Sequence, residues 1–500
     1  MKRLVSSILC AAILIACLSL SLSSCAGLEI AAINRLEGKE RAAAVFLRMA
    51  VAVTGTKSYT LDSKSDFNVT LAENKNMTVH VEQTDTFEYD GSDIKAHRTD
   101  ANSTVTIDGQ DPVTENQTIA FADGKLSIAD DLTGVKIFSA ASFDDAKGFF
   151  EENRTDDLEF DDISSITCDY EEGMGWTLTL SEMSGKTLGN FSESIESLDY
   201  VLDDTYLDDV IFKMTVSESF IPSSLSIEYV FASNSPDDTT VTVPTMKLES
   251  TFRDFGSTKV EVDLTGYTEV ADITLLKKVK DTLDEAKEAQ KGSFEFSSKS
   301  EAEFSGKSSF YSEEDTVTYE EKDGKFTYNI TAFTNDDLKI TITYADGKQT
   351  AKIKALVGSK YYGSKFSDQT SKKSEAEAKA FINAMIDSGS FNIFNISSIE
   401  LKEESNGKKT YELKVGKPNT AQFTNALRQN GFKEEDADFD ATFTVVMEGD
   451  RLVEYTYVCT CTGKSSKKPF SIKVTTGFSA FSYYSEPSGT DSTPDTGVEM

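Results

Sequence analysis

Thr118-Ile119-Ala120-Phe121-Ala122-Asp123-Gly124-Lys125 recurs later in the chain as Thr341-Ile342-Thr343-Tyr344-Ala345-Asp346-Gly347-Lys348, identical at six of eight positions. Two further pairs flank it in the same order. Ser58-Tyr59-Thr60-Leu61-Asp62-Ser63-Lys64-Ser65-Asp66 answers to Ser293-Phe294-Glu295-Phe296-Ser297-Ser298-Lys299-Ser300-Glu301, and Ile163-Ser164-Ser165-Ile166 to Ile396-Ser397-Ser398-Ile399. The offsets are 235, 223 and 233, a spread that loop insertions would supply. The chain therefore reads as one unit of roughly two hundred residues written twice, too long a period for a solenoid, so two folded domains are expected.

Working outward, the order of elements repeats as well. Each unit opens with an amphipathic helix, one containing residues 42–51 and the other carrying Leu275, Leu276, Val279, Leu283 and Ala286 on one face. Alternating strands follow, with Phe67, Val69 and Leu71 and then Met77, Val79 and Val81 in the first unit. In the second, Val317 and Tyr319, then Phe326, Tyr328 and Ile330, flank the hairpin signal Asp323-Gly324. A short helix is expected around 146–150 and around 378–382, the latter behind a Ser374-x-x-Glu377 capping box. A further helix carries Leu188, Phe191, Ile195 and Leu198, its counterpart holding Phe423 and Leu427 and stopping near Gly431. Closing strands include Tyr229-Val230 and Tyr457-Val458. The expectation is an α+β chain of two tandem homologous units, residues 36–271 and 272–485, with a disordered tail at 486–500.

The amino terminus points outside the cytoplasm. Met1-Lys2-Arg3 precedes an apolar run from Leu4 to Leu20, and no acidic residue intervenes before Leu22-Ser23-Ser24-Cys25. Cations followed by an apolar stretch and small residues are an export signal's pattern, here residues 1–24. Leu22-Ser23-Ser24-Cys25 resembles the bacterial lipobox, which implies a Cys25 thiol acylated and left as the first residue after cleavage. Two or more acyl chains give stable anchoring where one does not. Residues 25–35 would be a lipidated tether, with a flexible reach of about 20 Å.

With 50 Lys+Arg against 84 Asp+Glu the chain carries a formal charge of −34. Loss of Lys2 and Arg3 would take it to −36. That excludes nucleic acid as a partner. An anionic membrane surface would also repel such a body, so a covalent anchor is what keeps it near lipid. Beyond Cys10, Cys17 and Cys25 only Cys168, Cys459 and Cys461 remain. The compartment permits a bridge from Cys168 to one of the other two, while buried apolar thiols are the alternative.

A lipidated cysteine, a leading helix, a long antiparallel meander and two inserted helices resemble the LolA/LppX group of bacterial lipid-carrier lipoproteins. The resemblance covers both units and rests on architecture. It implies that each unit is a curved antiparallel sheet, an unclosed barrel, packed on a few helices that leave room for acyl chains or other apolar ligands. It carries over no functional residue beyond Cys25, and a tandem pair departs from the single-domain carriers. Side chains on the face that helices cover only partly form core or line a cavity. The candidates are Tyr59, Leu61, Phe67, Phe87 and Tyr89, with Phe294, Phe296, Phe304, Tyr319, Phe326 and Tyr328 in the second unit.

Catalytic and metal chemistry find little material. His80 and His97 are the two histidines, so a histidine-based triad or a His-rich metal site has almost no material, and no cofactor is expected. His80, between Val79 and Val81, is expected to face water. Asp436-x-Asp438-x-Asp440 lacks the glycine and distal glutamate of a calcium loop. Gly463-Lys464-Ser465 lacks the upstream glycine of a phosphate loop. The expectation is a non-enzymatic membrane-anchored lipoprotein that binds a hydrophobic ligand, a lipid among the candidates. The alternative is a cell-surface structural or protein-interaction module with filled cores. Replacing Cys25 by Ser is expected to release the protein from the membrane fraction and to abolish its labelling by a fatty-acid analogue. Unchanged fractionation of that variant would remove the anchor.

Overall fold

A computed structural model of the chain describes residues 26–71, 75–90, 93–150, 163–185, 187–188, 191, 205–234, 242–335, 337–387, 391–465 and 469–484. The expected signal peptide, Cys25, Ile195, Leu198 and the expected tail lie outside them. The chain divides into two compact units at Tyr267/Thr268. Both are mostly β with few helices, so the α+β class holds only coarsely, and their sheets are antiparallel, curved and unclosed.

In the first unit, α1 (Ala26–Ile33) and α2 (Gly38–Thr54) precede β1 (Ser58–Leu71), β2 (Lys75–Asp90), β3 (Asp93–Ile107), β4 (Val113–Ala122), β5 (Lys125–Asp130) and β6 (Val135–Ala140). After the one-turn helix α3 (Phe143–Ala146) come β7 (Ile163–Glu171), β8 (Gly175–Met183), β9 (Thr205–Val216), β10 (Pro222–Ser233) and β11 (Thr245–Arg253). These strands lie side by side in the order β6-β5-β4-β3-β2-β1-β11-β10-β9-β8-β7. Two meanders thus meet at a seam between the first strand and the last, where Leu61 stands opposite Phe252 and Phe67 opposite Met246.

Period-two alternation sets the faces. In β11, Met246, Leu248, Ser250 and Phe252 are buried while the residues between them are exposed. Against that inner face α2 buries Ala42, Val45, Met49 and Val53, spaced three, four and four apart. Each buried valine or methionine there is worth about 1.5–3 kcal/mol. Arg41 fixes the helix's position, donating to the carbonyls of Leu36 at 2.7 Å, Asn34 at 3.0 Å and Cys168 of β7 at 2.9 Å. Trp176 Nε1 donates to Asn34 Oδ1 at 3.0 Å. The expected flexible tether is helical instead. The run Ala26–Ile33 is rich in alanine and isoleucine, forms α1 and buries Ile33 in the core, so it spans only about 12 Å.

The second unit has α4 (Thr274–Glu288), then β12 (Lys291–Phe304), β13 (Lys307–Lys322), β14 (Lys325–Thr334), β15 (Leu338–Ala345), β16 (Lys348–Ala355) and β17 (Gln369–Lys372). It continues through α5 (Glu375–Asp387), β18 (Ile396–Ser405), β19 (Lys408–Val415), α6 (Ala421–Gln429), β20 (Ala437–Glu448), β21 (Arg451–Gly463) and β22 (Phe470–Tyr484). Its order is β17-β16-β15-β14-β13-β12-β22-β21-β20-β19-β18, the same pattern as the eleven strands given above for the first unit. Each repeated sequence falls at the same place in the two orders: on β1 and β12, on the β4–β5 and β15–β16 hairpins, and on β7 and β18.

Local chemistry sets the boundaries. Asp323 and Gly324 both take positive φ, 53° and 68°, the conformation of a type I′ hairpin turn. The expected capping box is made: Ser374 Oγ accepts from Glu377 N at 3.2 Å and Glu377 Oε2 accepts from Ser374 N at 2.6 Å. Helix α6 buries Phe423 and Leu427 and gives way to Gly431 at φ 78°. Cys168, Cys459 and Cys461 are free and buried, and burial pushes the thiols of Cys168 and Cys461 up to about 11.

One position tests the packing of the first unit directly. Gly175 has φ 101°, and a Cβ there would lie 2.1 Å from the Val216 carbonyl oxygen. Gly175→Ala is therefore expected to lower stability by about 3 kcal/mol. The emission of Trp176, the chain's one tryptophan and fully buried, reports this on urea titration.

Candidate functional site

Every sequence-predicted aromatic candidate lies on the inner face of its sheet, as the register shows: Tyr59 stands opposite Phe87, and Tyr319 opposite Tyr328. In the first unit they are core. Tyr59, Leu61, Phe67, Phe87 and Tyr89 are all buried, and Tyr59 stacks on Phe87 with ring centroids 4.7 Å apart. In the second unit Phe294, Tyr319, Phe326 and Tyr328 are buried, whereas Phe296 and Phe304 are only half-buried.

That difference runs across the whole middle of the face. At matching places in the two sheets, Leu61, Ser63, Ser65, Phe67 and Val69 of β1 are buried, while Phe296, Ser298, Ser300, Ala302 and Phe304 of β12 are half-exposed. Ile119 and Ile128 are buried; Ile342 and Ala351 are half-exposed, as are Leu338, Ile340 and Ile353 beside them. In the second unit α4 and α5 pack at one end, where Tyr328 stacks on Tyr344 and packs beside Phe381, and α6 packs over Ala437, Ala441, Cys459 and Cys461. Ala302 and Phe304 pack against that α6 cluster, and the strip between, around Phe296, Leu338, Ile340, Ile342 and Ile353, carries apolar side chains that no described helix fully covers. A pocket of about 380 Å³, lined by Phe391, Gln422, Phe443 and Tyr457 among others, adjoins α6. Another of about 640 Å³ is lined by Gly292, Tyr319, Tyr328 and Tyr483. Both volumes fall in the range of small-molecule sites.

A carboxyl group occupies the same register position in both faces. Asp85 pairs across with Leu61 and Thr99, and Asp315 with Phe296 and Ala332. Asp85 is buried and fully engaged: Thr99 Oγ1 donates at 2.6 Å, Gln83 Nε2 donates at 2.6 Å, and His97 Nε2 lies 3.4 Å away. His97 is itself held between the rings of Phe87 and Phe150, each at 4.1 Å. His80, by contrast, is on the outer face, bonded to Asp66 at 2.7 Å.

In the second unit those partners are gone. Ala332 stands where Thr99 does, Glu313 where Gln83 does and Ile330 where His97 does. Asp315 is 7 % exposed, and its Oδ1 has no hydrogen-bond partner among the described residues. Burial and then the charge of Glu313 push its carboxyl up to about 7. The sequence did not single it out, since one aspartate among 84 acids carries no local signal.

Among the described residues, no group of three or more His, Cys, Asp or Glu could hold a metal ion, and no helix is long and apolar enough to cross a membrane.

No protein-family model and no curated protein matches the chain. Among solved structures, similarity is found to a DUF1329 family protein from Desulfovibrio piger, at 13% identity over 43% of this chain and 94% of that one, with a TM-score of 0.14. A DUF3598 family protein of unknown function from Nostoc punctiforme is 8% identical over 86% of this chain and 98% of its own, with a TM-score of 0.11. OccK3 from Pseudomonas aeruginosa is 7% identical over 84% of this chain and 95% of its own, with a TM-score of 0.12. Superposition at that level carries no argument about fold or function.

The raised Asp315 carboxyl has a sign that can be checked. The unfolded group ionises near 3.8 and the folded one near 7, so between those values the folded state holds the extra proton. Stability then falls as pH rises through that window and stays low above it. Asp315→Asn is expected to be more stable than the parent by about 1–2 kcal/mol at pH 8, with the advantage vanishing below about pH 4, in urea titrations followed by circular dichroism.

Proposed function

We propose that the protein is an extracytoplasmic lipoprotein, anchored through Cys25, that binds a hydrophobic ligand on the inner face of its second unit without chemical conversion. The observation that carries this reading is the half-open apolar strip around Phe296, Leu338, Ile340 and Ile353, at a place where the first unit is sealed. Exposed apolar surface is costly unless something covers it for part of the protein's working life. Asp315 and Glu313, on the same face of β13 about 7 Å apart, offer an amphiphile's polar end a partner beside the apolar strip.

The first unit, with the corresponding face filled, acts in this reading as the scaffold that follows the anchor in the chain. Duplication of one ancestral unit, supported by the matching strand orders and by the three repeated sequences, accounts for a carboxyl retained in both copies. One copy closed around it, and the other lost its hydrogen-bond donors. A purely structural role fits the first unit by itself but leaves the open strip of the second without an occupant.

Purified protein is expected to bind an apolar fluorescent probe and to carry lipid detectable by native mass spectrometry. Phe296→Glu is expected to weaken probe binding at least about fivefold, since it places a charge on the apolar strip. Absence of both probe binding and co-purifying lipid in the parent would reject the carrier reading in favour of an interaction module.

A further inference from the structure

The end of β16 and the loop that joins it to β17 have a charge opposite in sign to that of the chain as a whole. Residues 352–368, the end of β16 and the loop to β17, contain four lysines and one acid, Asp368, a local charge of +3 within a chain of −34. All four of these lysines are exposed. In the same stretch, Val357 is 86 % exposed and Tyr362 65 %, with Tyr361 and Phe366 also outside. Four large apolar side chains left exposed on one loop are expensive to keep in water.

The loop has a defined place. Leu356 N donates to the Asp337 carbonyl at 2.8 Å, and Lys360 Nζ lies 3.2 Å from the Asp337 carboxylate, so its base is held against the start of β15. By register, Leu338 stands opposite Ala355 and Ile340 opposite Ile353. The loop therefore projects from the end of the sheet at which the half-open strip emerges, the end away from the contact between α5 and β14.

We infer that this lysine-rich, tyrosine-bearing loop is a docking surface for an anionic lipid bilayer, with Val357, Tyr362 and Phe366 entering the interface and the lysines meeting the headgroups. Tyrosine is suited to that depth because its ring is apolar and its hydroxyl polar, and lysine stems lie along apolar surface while the ammonium stays in the headgroup layer. Local positive charge is what matters, because repulsion from the acidic body is screened beyond about 8 Å at physiological salt. The inference rests on the proposed membrane function and deepens it: docking here would turn the open end of the ligand strip toward the lipid.

The test uses the full chain carrying Tyr362→Trp, a change at an exposed site, reconstituted with vesicles. Trp176 is fully buried and supplies a constant background. With vesicles containing about one-third phosphatidylglycerol, emission from the introduced indole is expected to shift blue and to be quenched by brominated acyl chains at least about threefold more than in pure phosphatidylcholine. Adding Lys360→Glu and Lys365→Glu is expected to abolish that difference. Equal signals in the two vesicle types, or no quenching while the protein floats with the vesicles, would overturn the inference. Binding of soluble polyglutamate without quenching by brominated lipid would do so too, pointing to an acidic macromolecule. Flotation reads the Cys25 anchor separately: quenching without stable flotation keeps the docking surface and removes the anchor, and loss of both removes the two together.

Discussion

The pairing of the first strand of each unit with its last sets everything else in this fold. Leu61 meets Phe252 and Phe296 meets Phe478, partners nearly two hundred residues apart in the chain. Such a seam closes only after both meanders exist, since loop closure must precede the contacts that reward it. Once formed, its register decides which side chains face the helices. A slip of one residue would turn Leu61, Phe67, Phe296 and Phe304 outward and bring Lys64 and Lys299 inside.

Given that register, a buried carboxyl falls at the same position in each unit, and the two units resolve it differently. Around Asp85 the neighbouring strands supply a threonine hydroxyl, a glutamine amide and a histidine ring, and the face is closed above them. Around Asp315 the same positions are alanine, glutamate and isoleucine, and the strip is left half-open. A buried polar group without a partner costs of order 1–3 kcal/mol, so the second arrangement gives up stability that the first keeps. Sites that act on ligands are where such losses are tolerated.

Charge divides the molecule in a parallel way. Acidic residues are spread along the whole sequence, while residues 352–368, at one sheet end in the second unit, carry a net positive charge. An acidic body discourages unspecific contact with an anionic surface, and in the proposed docking a basic, aromatic loop restricts contact to one orientation. A covalent lipid supplies proximity, whereas a docking loop supplies direction, so the two proposals are not redundant.

Strand alternation, the stripe of α4 and the Ser374–Glu377 box were legible in the sequence because each is a local pattern with a fixed physical period or spacing. So was the inner-face assignment of every aromatic candidate, which follows from alternation once a strand is recognised. The helical state of residues 26–33 was missed because a short segment behind a signal cysteine reads as tether, and its docking depends on Ile33 finding the core. Likewise, no local pattern distinguished Leu61 from Phe296: both are apolar residues at the same step of an alternating strand, yet one is sealed and the other half-exposed. The sequence by itself determined which residues share a face, since a strand's period is a property of its own backbone. Only the tertiary structure decided how much of that face is covered and whether its carboxyl finds a donor, since both depend on side chains brought in from strands and helices distant in the chain.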